Sequence, residues 1–176
     1  MKILLINGCE NHLNQDLENQ VVEKLIHDIT SKGNTYEMCK LASLSLKPCM
    51  ACDACQIKTP GLCVIKDGLN ELLKKYLASD LVIILTPIIF GTCNTLTKTF
   101  LDRTQPLYMP YQKMASNIMA PRYTKYPVLK FIGLNPNSQT EENAFKETFL
   151  NATLTAQNKK SDVIIIHKIS DLPIHY

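Results

Sequence analysis

The sequence predicts an α/β fold of three layers, in which a doubly wound sheet of five parallel strands lies between helices. Two observations predict it. Short and continuously apolar segments, typical of strands buried on both faces, recur along the chain, and amphipathic segments alternate with them. Because this alternation indicates parallel strands joined by helical crossovers, five strands fit the order 2-1-3-4-5. At 176 residues, the chain is expected to form one domain over residues 1–176.

The first two strands are predicted at residues 2–6 (KILLI) and 35–41. Between them, from about residue 14 to residue 31, apolar residues recur every four positions, which predicts a helix. Its buried stripe is Leu17, Val21, Leu25 and Ile29. Gly33 is placed to end this helix, because glycine readily adopts the left-handed conformation that follows many helices.

A cysteine-rich loop at residues 48–66 separates the second strand from the next helix, which is predicted to begin at Asp67. The apolar stripe of this helix is Leu69, Leu72, Leu73, Tyr76 and Leu77. Residues 81–85 (LVIIL) predict the third strand, and Thr86-Pro87 is expected to end it, because proline cannot donate to a strand ladder.

The remaining elements continue the alternation after an interruption. A helix is predicted at about residues 94–103, and residues 105–127, with four prolines and four tyrosines, are expected to form an irregular insertion. Residues 128–134 predict the fourth strand. A capping-box pattern at Ser138 predicts a helix that extends to about residue 158, and residues 163–167 predict the last strand.

Composition and charge argue against several classes of protein. Hydrophobic residues make up 45% of the chain and charged residues 20%, which is typical of a soluble globular protein. No apolar run approaches the roughly 18–20 residues that a membrane span needs. A net charge of +3 is too small to predict a nucleic-acid partner. Because Asn7-Gly8 interrupts the apolar start, no signal peptide is predicted, and the expected location is a reducing cytoplasm.

Four of the seven cysteines lie within fifteen residues in the spacing C-x2-C-x2-C-x7-C; they are Cys49, Cys52, Cys55 and Cys63. Several thiolates that converge on a small volume can hold an iron–sulfur cluster, so this spacing favours a [4Fe–4S] site. Zinc and a reduced thiol site remain alternatives, although structural zinc usually binds two well-separated C-x-x-C pairs. An odd number of cysteines argues against a disulfide framework.

Three connecting segments are expected to meet at one edge of the sheet. Because parallel strands point the same way, the turn after the first strand, the cysteine loop and the turn after the third strand all follow carboxyl ends. Ligands of doubly wound sheets bind at this edge, where the strand order reverses. The topology therefore predicts that a ligand and the cysteine site are neighbours.

Two segments, PCMACDACQIKTPGLCVIKD (residues 48–67) and DLVIILTPIIFGTCNTLTKTFLDR (residues 80–103), carry a recognisable pattern. It consists of a compact four-cysteine motif, a buried strand ending in Ser/Thr-Pro, then Phe-Gly, and a helix that ends Lys-x-Phe-Ile/Leu-Asp-Arg. This chain has Thr86-Pro87, Phe90-Gly91, Lys98 and Phe100-Leu101-Asp102-Arg103 at those places. With both motifs in the right order, the chain resembles the iron–sulfur flavoproteins of the NADPH-dependent FMN reductase family, which have flavodoxin-like folds.

The resemblance implies FMN and a [4Fe–4S] cluster as cofactors, with the four clustered cysteines as cluster ligands and NAD(P)H as an electron donor. In that family the loop after the third strand wraps the flavin ring with backbone groups. Carried over, this role falls on Thr86, Pro87, Ile88, Ile89, Phe90 and Gly91. Relatives form dimers or tetramers, so the resemblance also implies a homodimer or homotetramer, with residues 105–127 as a candidate interface and a small molecule or protein as redox partner.

The loop after the first strand departs from the family pattern, in which Gly, Ser, Arg and Thr hold the FMN phosphate at a helix N-terminus. This chain reads NGCENHLNQDLEN, so Gly8 is kept, but Glu10 and Asp16 add negative charge. The residues assigned to FMN here are Gly8, Cys9, Asn11, Asn14 and Gln15, and His12 could also donate a hydrogen bond.

Three functions follow as hypotheses. The first is an FMN-dependent redox protein whose [4Fe–4S] cluster passes electrons between a two-electron donor and one-electron acceptors. The second is an NAD(P)H-dependent flavin or quinone reductase without a cluster. The third is a non-catalytic metal- or redox-sensing module that has lost flavin. None of them requires a catalytic acid or base, and the sequence predicts none.

Overall fold

The computed structural model describes residues 1–9, 15–112, 119–155 and 162–173. In chain order, the strands and α-helices are β1 (Lys2–Asn7), α1 (Gln15–Ser31), β2 (Thr35–Lys40), α2 (Ala54–Ile57), α3 (Leu69–Leu77), β3 (Leu81–Ile89), β4 (Thr92–Cys93), α4 (Thr95–Asp102), β5 (Tyr108–Gln112), β6 (Met119–Pro121), β7 (Val128–Leu134), α5 (Gln139–Thr155) and β8 (Asp162–Ile166). Short 3-10 turns lie at Leu41–Leu44, Gln105–Leu107 and Ile169–Asp171.

The central sheet has the strand order β2-β1-β3-β7-β8, and each neighbouring pair on this path is parallel. Counted among themselves, these five strands have the predicted order 2-1-3-4-5. The prediction of a doubly wound α/β fold is therefore confirmed. The order reverses beside β1 and β3, so the main ligand site of such a fold is expected where these two strands end.

Two hydrophobic cores cover the two faces of the sheet, because successive residues of a strand point to opposite faces. Leu4 and Ile6 of β1 pack in the core that also contains buried residues of α3, α4 and α5. Ile3 and Leu5 pack in the other core, with α1. The predicted stripe of α1 is buried at Val21, Leu25 and Ile29; Leu17 is partly exposed, and Glu18 is buried instead.

The third strand is longer than predicted, and the expectation that Thr86-Pro87 ends it is wrong. Both residues still pair with β7, and β3 continues to Ile89. The chain reverses at Phe90-Gly91, where both residues have positive φ (50° and 76°), and β4 returns antiparallel to β3. Positive φ at both central residues is the geometry of a two-residue type I′ hairpin turn, which places the reversal after the proline.

The described parts of residues 105–127 are less irregular than expected, because they contain the antiparallel pair β5 and β6. The rings of Tyr108 and Tyr126 stack beside this pair, with centroids 6.0 Å apart. The predicted end of the last helix, near residue 158, lies outside the described residues. Within residues 1–9, 15–112, 119–155 and 162–173, no helix combines the length and the apolar character needed to cross a bilayer.

Candidate functional site

A cleft of about 270 Å³ lies where the carboxyl ends of β1, β3 and β7 meet. Its lining residues are Cys9, Pro87, Ile88, Ile89, Phe90, Leu134, Asn135 and Asn137. The last residues of β3 and Phe90 in the turn after it form one wall, and the turn that follows β7 contributes another. The residues from this second turn were not predicted, although polar Asn135 and Asn137 directly after an apolar strand are a signal that could have identified them.

The turn at the mouth of the cleft holds an aromatic side chain in solvent. Phe90 is 91% exposed and has a φ of 50°, a conformation that costs a non-glycine residue roughly 1–2 kcal/mol. Gly91 beside it lies against α5, since a Cβ added to Gly91 would approach Ala144 Cβ to 2.8 Å. The turn is therefore fixed against the fold, while its largest apolar side chain is almost fully exposed at the mouth of the cleft.

A buried polar network connects the carboxyl ends of β1 and β3 to the start of α4. The Asn94 side chain donates to the Gly8 carbonyl at 2.7 Å and accepts from the Thr97 backbone N–H at 3.1 Å, which caps α4. The Thr97 hydroxyl donates to the Thr86 hydroxyl at 3.1 Å. Gly8 donates its own N–H to Leu85 at 2.8 Å, so both of its backbone polar groups are bonded within the protein.

Glycine is required at position 8 because α4 lies directly against it. A Cβ added to Gly8 would lie 1.9 Å from the Thr97 Oγ1 atom. The predicted residues Gly8 and Thr86 are thus brought together, but through a network whose other members, Asn94 and Thr97, the sequence analysis missed. Asn94 could have been recognised from its place immediately before an apolar helical pattern, which is typical of an N-cap residue.

The first residues after β1 rest on a second pair of buried polar side chains. The Cys9 N–H donates to Asn7 Oδ1 at 2.9 Å, and the Asn7 side chain donates to Glu18 Oε1 at 2.7 Å. Burial, and then the nearby Glu18 carboxylate, raise the pKa of the Cys9 thiol far above its ordinary value. Cys9 is therefore a neutral thiol in the wall of the cleft, and it is unsuited to act as a nucleophile.

The other residues assigned to the phosphate can be placed only in part. Asn11 and Asn14 lie outside the described residues. Gln15 is the first residue of α1 and is exposed. Together with Asp16, Asn135, His167 and other neighbours, it lines a second and more open cleft of about 600 Å³ beside the first.

The four clustered cysteines are all free thiols, and the loop that carries them is tightly coiled. Cys49 and Cys52 are exposed, whereas Cys55, in α2, and Cys63 are half-buried. Burial raises the pKa of Cys55, and the charges of Cys63, Cys49 and Cys52 raise it further, in that order. Within the described ranges, no three His, Cys, Asp or Glu side chains come close enough to hold one metal ion.

The base of this loop is closed by a buried ion pair that the sequence did not predict. The Arg103 side chain is 1% exposed and pairs with Asp67, whose side chain is 5% exposed. Burial alone would raise the pKa of Asp67, but the hydrogen bond from Arg103 and further bonds outweigh this effect and lower it. Arg103 also donates to the Lys47 carbonyl at 2.9 Å and to the Cys63 Sγ atom at 3.1 Å.

Helix α4 links the cysteine loop to the edge where β1 and β3 end. Asn94 at the start of this helix bonds to Gly8, and Arg103 at its end bonds to Cys63. Since an α-helix rises about 1.5 Å per residue, the two backbone positions are roughly 13 Å apart. The bond between Cys63 and the end of α4 was not predicted from the sequence.

A second contact joins the cysteine loop to the segment that follows α4. Arg122 donates to the carbonyls of Pro106 and Tyr108, each at 3.0 Å, and to the Gln56 side chain. Gln56 lies beside Cys55 in α2 and donates in turn to the Gln105 carbonyl at 2.8 Å. Residues 105–108 and Arg122 are therefore linked by hydrogen bonds to the helix that carries the third cysteine of the motif.

Comparison with known proteins agrees with this architecture. The model of the family described as NADPH-dependent FMN reductase matches residues 1–123. An iron-sulfur flavoprotein of Archaeoglobus fulgidus is 30% identical over 124 residues, which are 70% of this chain and 59% of that protein. An iron-sulfur flavoprotein of Methanocaldococcus jannaschii is 34% identical over 112 residues, 64% of this chain and 56% of that protein. The chain thus spans less than two thirds of the length of these relatives.

Among solved structures, a Streptococcus mutans protein, Smu.1420, superposes with a TM-score of 0.67 at 15% identity, over 98% of this chain and 90% of its own. An NAD(P)H:quinone oxidoreductase from Methanothermobacter marburgensis superposes with a TM-score of 0.65 at 14% identity, over 94% and 83%. At these identities the likeness concerns the fold, which is flavodoxin-like.

Proposed function

The chain belongs to the NADPH-dependent FMN reductase family, and we propose that it is an FMN-dependent oxidoreductase that also carries a [4Fe–4S] cluster. It would pass electrons between a two-electron donor, NAD(P)H, and one-electron acceptors. The observation that carries this proposal is the cleft between the ends of β3 and β7, because its main wall, residues 87–90, lies within the segment that matches the family.

The cleft has the features that a flavin ring needs. Ile88, Ile89 and Leu134 give it apolar walls, and Asn135 adds a polar group at its edge. Most small-molecule sites combine apolar walls with a few polar groups in this way. The phosphate would be bound by side-chain donors such as Gln15 at the N-terminus of α1 rather than by an arginine, and the Glu18 carboxylate beneath Cys9 opposes an anion there.

The cysteine loop has the donor types that an iron–sulfur cluster needs. Four cysteine sulfurs are the usual ligands of a [4Fe–4S] cluster, and this loop carries four cysteines within fifteen residues. We therefore assign Cys49, Cys52, Cys55 and Cys63 as the ligands. Among the described residues these side chains do not converge closely enough to hold one metal ion, so binding would require the exposed Cys49 and Cys52 to move inward.

The chemistry comes from the cofactors, and the chain would supply binding and geometry. When bound, FMN takes up the two electrons of a hydride together and releases them singly, and an iron–sulfur cluster takes one electron at a time. The residues at 87–90 would bind and shield the ring, and α4 would hold the two sites at a fixed separation. Exposed apolar residues at both sites, including Phe90 and Ile57 (77% exposed), support assembly into a homodimer or homotetramer.

The test is a visible absorption spectrum of protein purified without air, with iron, sulfide and FMN assays. We expect two resolved flavin bands and a broad shoulder from the cluster, and loss of the flavin bands on addition of NADPH or NADH. Cys55→Ser should remove the iron and keep the flavin. The matched control is Cys39→Ser, a half-buried cysteine of β2 outside the loop, which should keep both. A colourless preparation would contradict the proposal and favour a metal- or redox-sensing module.

A second function has one observation in its favour. Because no three metal-binding side chains converge within the described part of the chain, the protein could act as an NAD(P)H-dependent flavin or quinone reductase without a cluster. In that case, the anaerobic preparation contains flavin without iron, and Cys55→Ser reduces quinones with NAD(P)H as fast as the unmodified protein.

A further inference from the structure

Arg103 occupies an unusual position for a charged residue, because its side chain is almost fully buried at the end of α4. Nη1 and Nη2 bond to the two carboxylate oxygens of Asp67. A buried arginine of this kind needs an anionic partner, because removing an unpaired charge from water is very unfavourable. The Nε donor of Arg103 is buried without a hydrogen-bond partner in the described residues, so the guanidinium keeps spare donor capacity.

This ion pair holds the two ends of the cysteine loop together. Asp67 follows the loop, and its carboxylate accepts from the Lys47 backbone N–H at 2.8 Å. Lys47 precedes the loop, and its carbonyl accepts from Arg103 at 2.9 Å. Both the N–H and the carbonyl of Lys47 are thus hydrogen-bonded to the ion pair. The segment between these ends, residues 48–66, carries all four clustered cysteines.

Cys63 is the cysteine that this arrangement fixes most firmly. Its backbone N–H donates to Asn70 Oδ1 at 2.9 Å, and its carbonyl accepts from Asn70 Nδ2 at 2.8 Å. Its sulfur accepts from Arg103 Nη2 at 3.1 Å. Cys49 and Cys52, in contrast, are exposed. Cys63 is therefore held in place by the protein itself, whereas the first two cysteines of the motif must be recruited.

We propose that Arg103 is a positioning residue of the four-cysteine site, which closes the base of the loop through Asp67 and Lys47 and presents the Cys63 sulfur as the fourth metal ligand. This inference rests on the proposed function. Hydrogen bonds to ligand sulfurs and nearby charge also set the reduction potential of iron–sulfur clusters. The guanidinium at Cys63 would accordingly keep the cluster potential higher than it would be without this cation.

The metal-free, reduced protein can be tested with Co²⁺ as a probe, because sulfur-to-cobalt charge transfer reports how many thiolates bind. The unmodified protein should bind Co²⁺ through four thiolates, and Cys63→Ser provides the three-thiolate reference. Arg103→Met should resemble Cys63→Ser and bind Co²⁺ about 10–100-fold more weakly, the usual effect of removing a group that orients a metal ligand. Lys98→Met is the matched control, because Lys98 is an exposed cation on the same helix.

Arg103→Lys separates positioning from folding. Lysine keeps the charge but lacks the planar fork that bonds Asp67 and Cys63 together, so we expect Co²⁺ affinity between that of the unmodified protein and that of Arg103→Met. In cluster-loaded protein, we expect the reduction potential to be highest in the unmodified protein, intermediate in Arg103→Lys and lowest in Arg103→Met. A purely structural role would leave the potential of a folded variant unchanged.

The outcomes are distinguishable. If the unmodified protein binds neither a cluster nor Co²⁺ through four thiolates, the assigned cysteine site and this inference both fail. If it binds both, and if folded Arg103→Lys and Arg103→Met keep its Co²⁺ affinity, thiolate number and potential, only the inference about Arg103 fails. Should Arg103→Met not fold, the comparison of Arg103→Lys with Lys98→Met decides between these outcomes.

Discussion

The Asn94 side-chain amide donates a 2.7 Å hydrogen bond to the backbone carbonyl of Gly8, 86 residues earlier in the chain. Both residues are buried, and the same Asn94 side chain caps α4 through the Thr97 N–H. One side chain therefore fixes the end of β1 and the start of α4 at the edge where the candidate flavin cleft lies. We therefore expect the network beneath the cleft to affect both stability and ligand binding.

Asn94→Ala should lower the free energy of unfolding by about 2–4 kcal/mol, because it removes a helix cap and leaves the buried Gly8 carbonyl without its partner. FMN affinity should fall as well, since the end of β1 is no longer fixed. Urea denaturation and FMN titration measure the two effects. The control is Ser138→Ala, which removes the exposed cap of α5 and should cost about 1 kcal/mol without affecting FMN. Equal losses of stability in the two variants would contradict this prediction.

Gly8→Ala should lower the free energy of unfolding by about 1–3 kcal/mol, as overpacking does, because the added Cβ meets Thr97 Oγ1 at 1.9 Å. The resulting shift of β1 should weaken FMN binding by about ten-fold. A double-mutant cycle checks the cause. Gly8→Ala should cost less in a Thr97→Ala background, where the clashing oxygen is absent, but not in a Thr97→Ser background, where it remains. Equal costs in all backgrounds would show that the contact with Thr97 is not responsible.

The order of the strands could be predicted from the sequence because each parallel strand is buried on both faces and therefore appears as a short apolar run. The cleft wall at residues 87–90 could be located because it directly follows the apolar run at residues 81–85. The end of β3 could not be predicted from Pro87 alone. What decides it is the pair of positive φ angles at Phe90 and Gly91, a tertiary feature in which Gly91 fits against Ala144 of α5.

The ion pair at the base of the cysteine loop could not be predicted from the sequence, for a different reason. Arg103 and Asp67 are 36 residues apart, and neither has a spacing that relates it to the other. Asp67 has the appearance of an ordinary helix-start residue, because it directly precedes Gly68, the residue at the N-cap position of α3. Only the tertiary structure, which brings the end of α4 to the base of the cysteine loop, pairs the two charges. Glu18 is an intermediate case, since its position three residues before Val21 on the buried stripe could have indicated its burial.

Phe90→Asn should raise the free energy of unfolding of the flavin-free protein by about 0.5–1 kcal/mol, because asparagine tolerates positive φ better than phenylalanine. Little burial is lost, as Phe90 is 91% exposed. If the Phe90 ring contacts FMN, the same change should weaken FMN binding, which FMN titration measures. If the ring contacts a second copy of the chain, the change should weaken self-association, which sedimentation measures. The control is Ser45→Asn, at another residue with positive φ (48°), which should change neither FMN affinity nor self-association. Unchanged FMN affinity and unchanged assembly would contradict a binding role for the Phe90 ring.

Asp67→Asn should lower the free energy of unfolding at neutral pH by about 3–5 kcal/mol, because it leaves the buried Arg103 without its anion. Because the pKa of Asp67 is lowered in the folded protein, the contribution of this carboxylate is fully present above the ordinary pKa of about 3.9 and is lost as the pH falls through the lower folded value. Urea denaturation between pH 7 and pH 2 should show this acid-dependent loss in the unmodified protein and a smaller one in the variant.

The control for this pH profile is Asp80→Asn, which removes a carboxylate that is paired with Lys125 at the surface. Its effect should be small and should disappear at high salt, because exposed ion pairs are screened. The Asp67 effect should persist at high salt. A profile of the Asp67 variant that has the same shape as that of the unmodified protein would show that this carboxylate does not titrate with unfolding.

Arg122→Met should loosen the cysteine loop and the segment after α4 together, because Arg122 bonds to the carbonyls of Pro106 and Tyr108 and to the side chain of Gln56. Hydrogen bonds from a charged donor contribute about 1.5–3 kcal/mol each. Hydrogen exchange should therefore become faster by ten-fold or more both at residues 54–57 and at residues 105–112, while β1 keeps its protection. Lys125→Met, which removes an exposed cation from the same segment, should leave both regions unchanged. Faster exchange confined to residues 105–112 would mean that Arg122 does not couple this segment to the helix that carries Cys55.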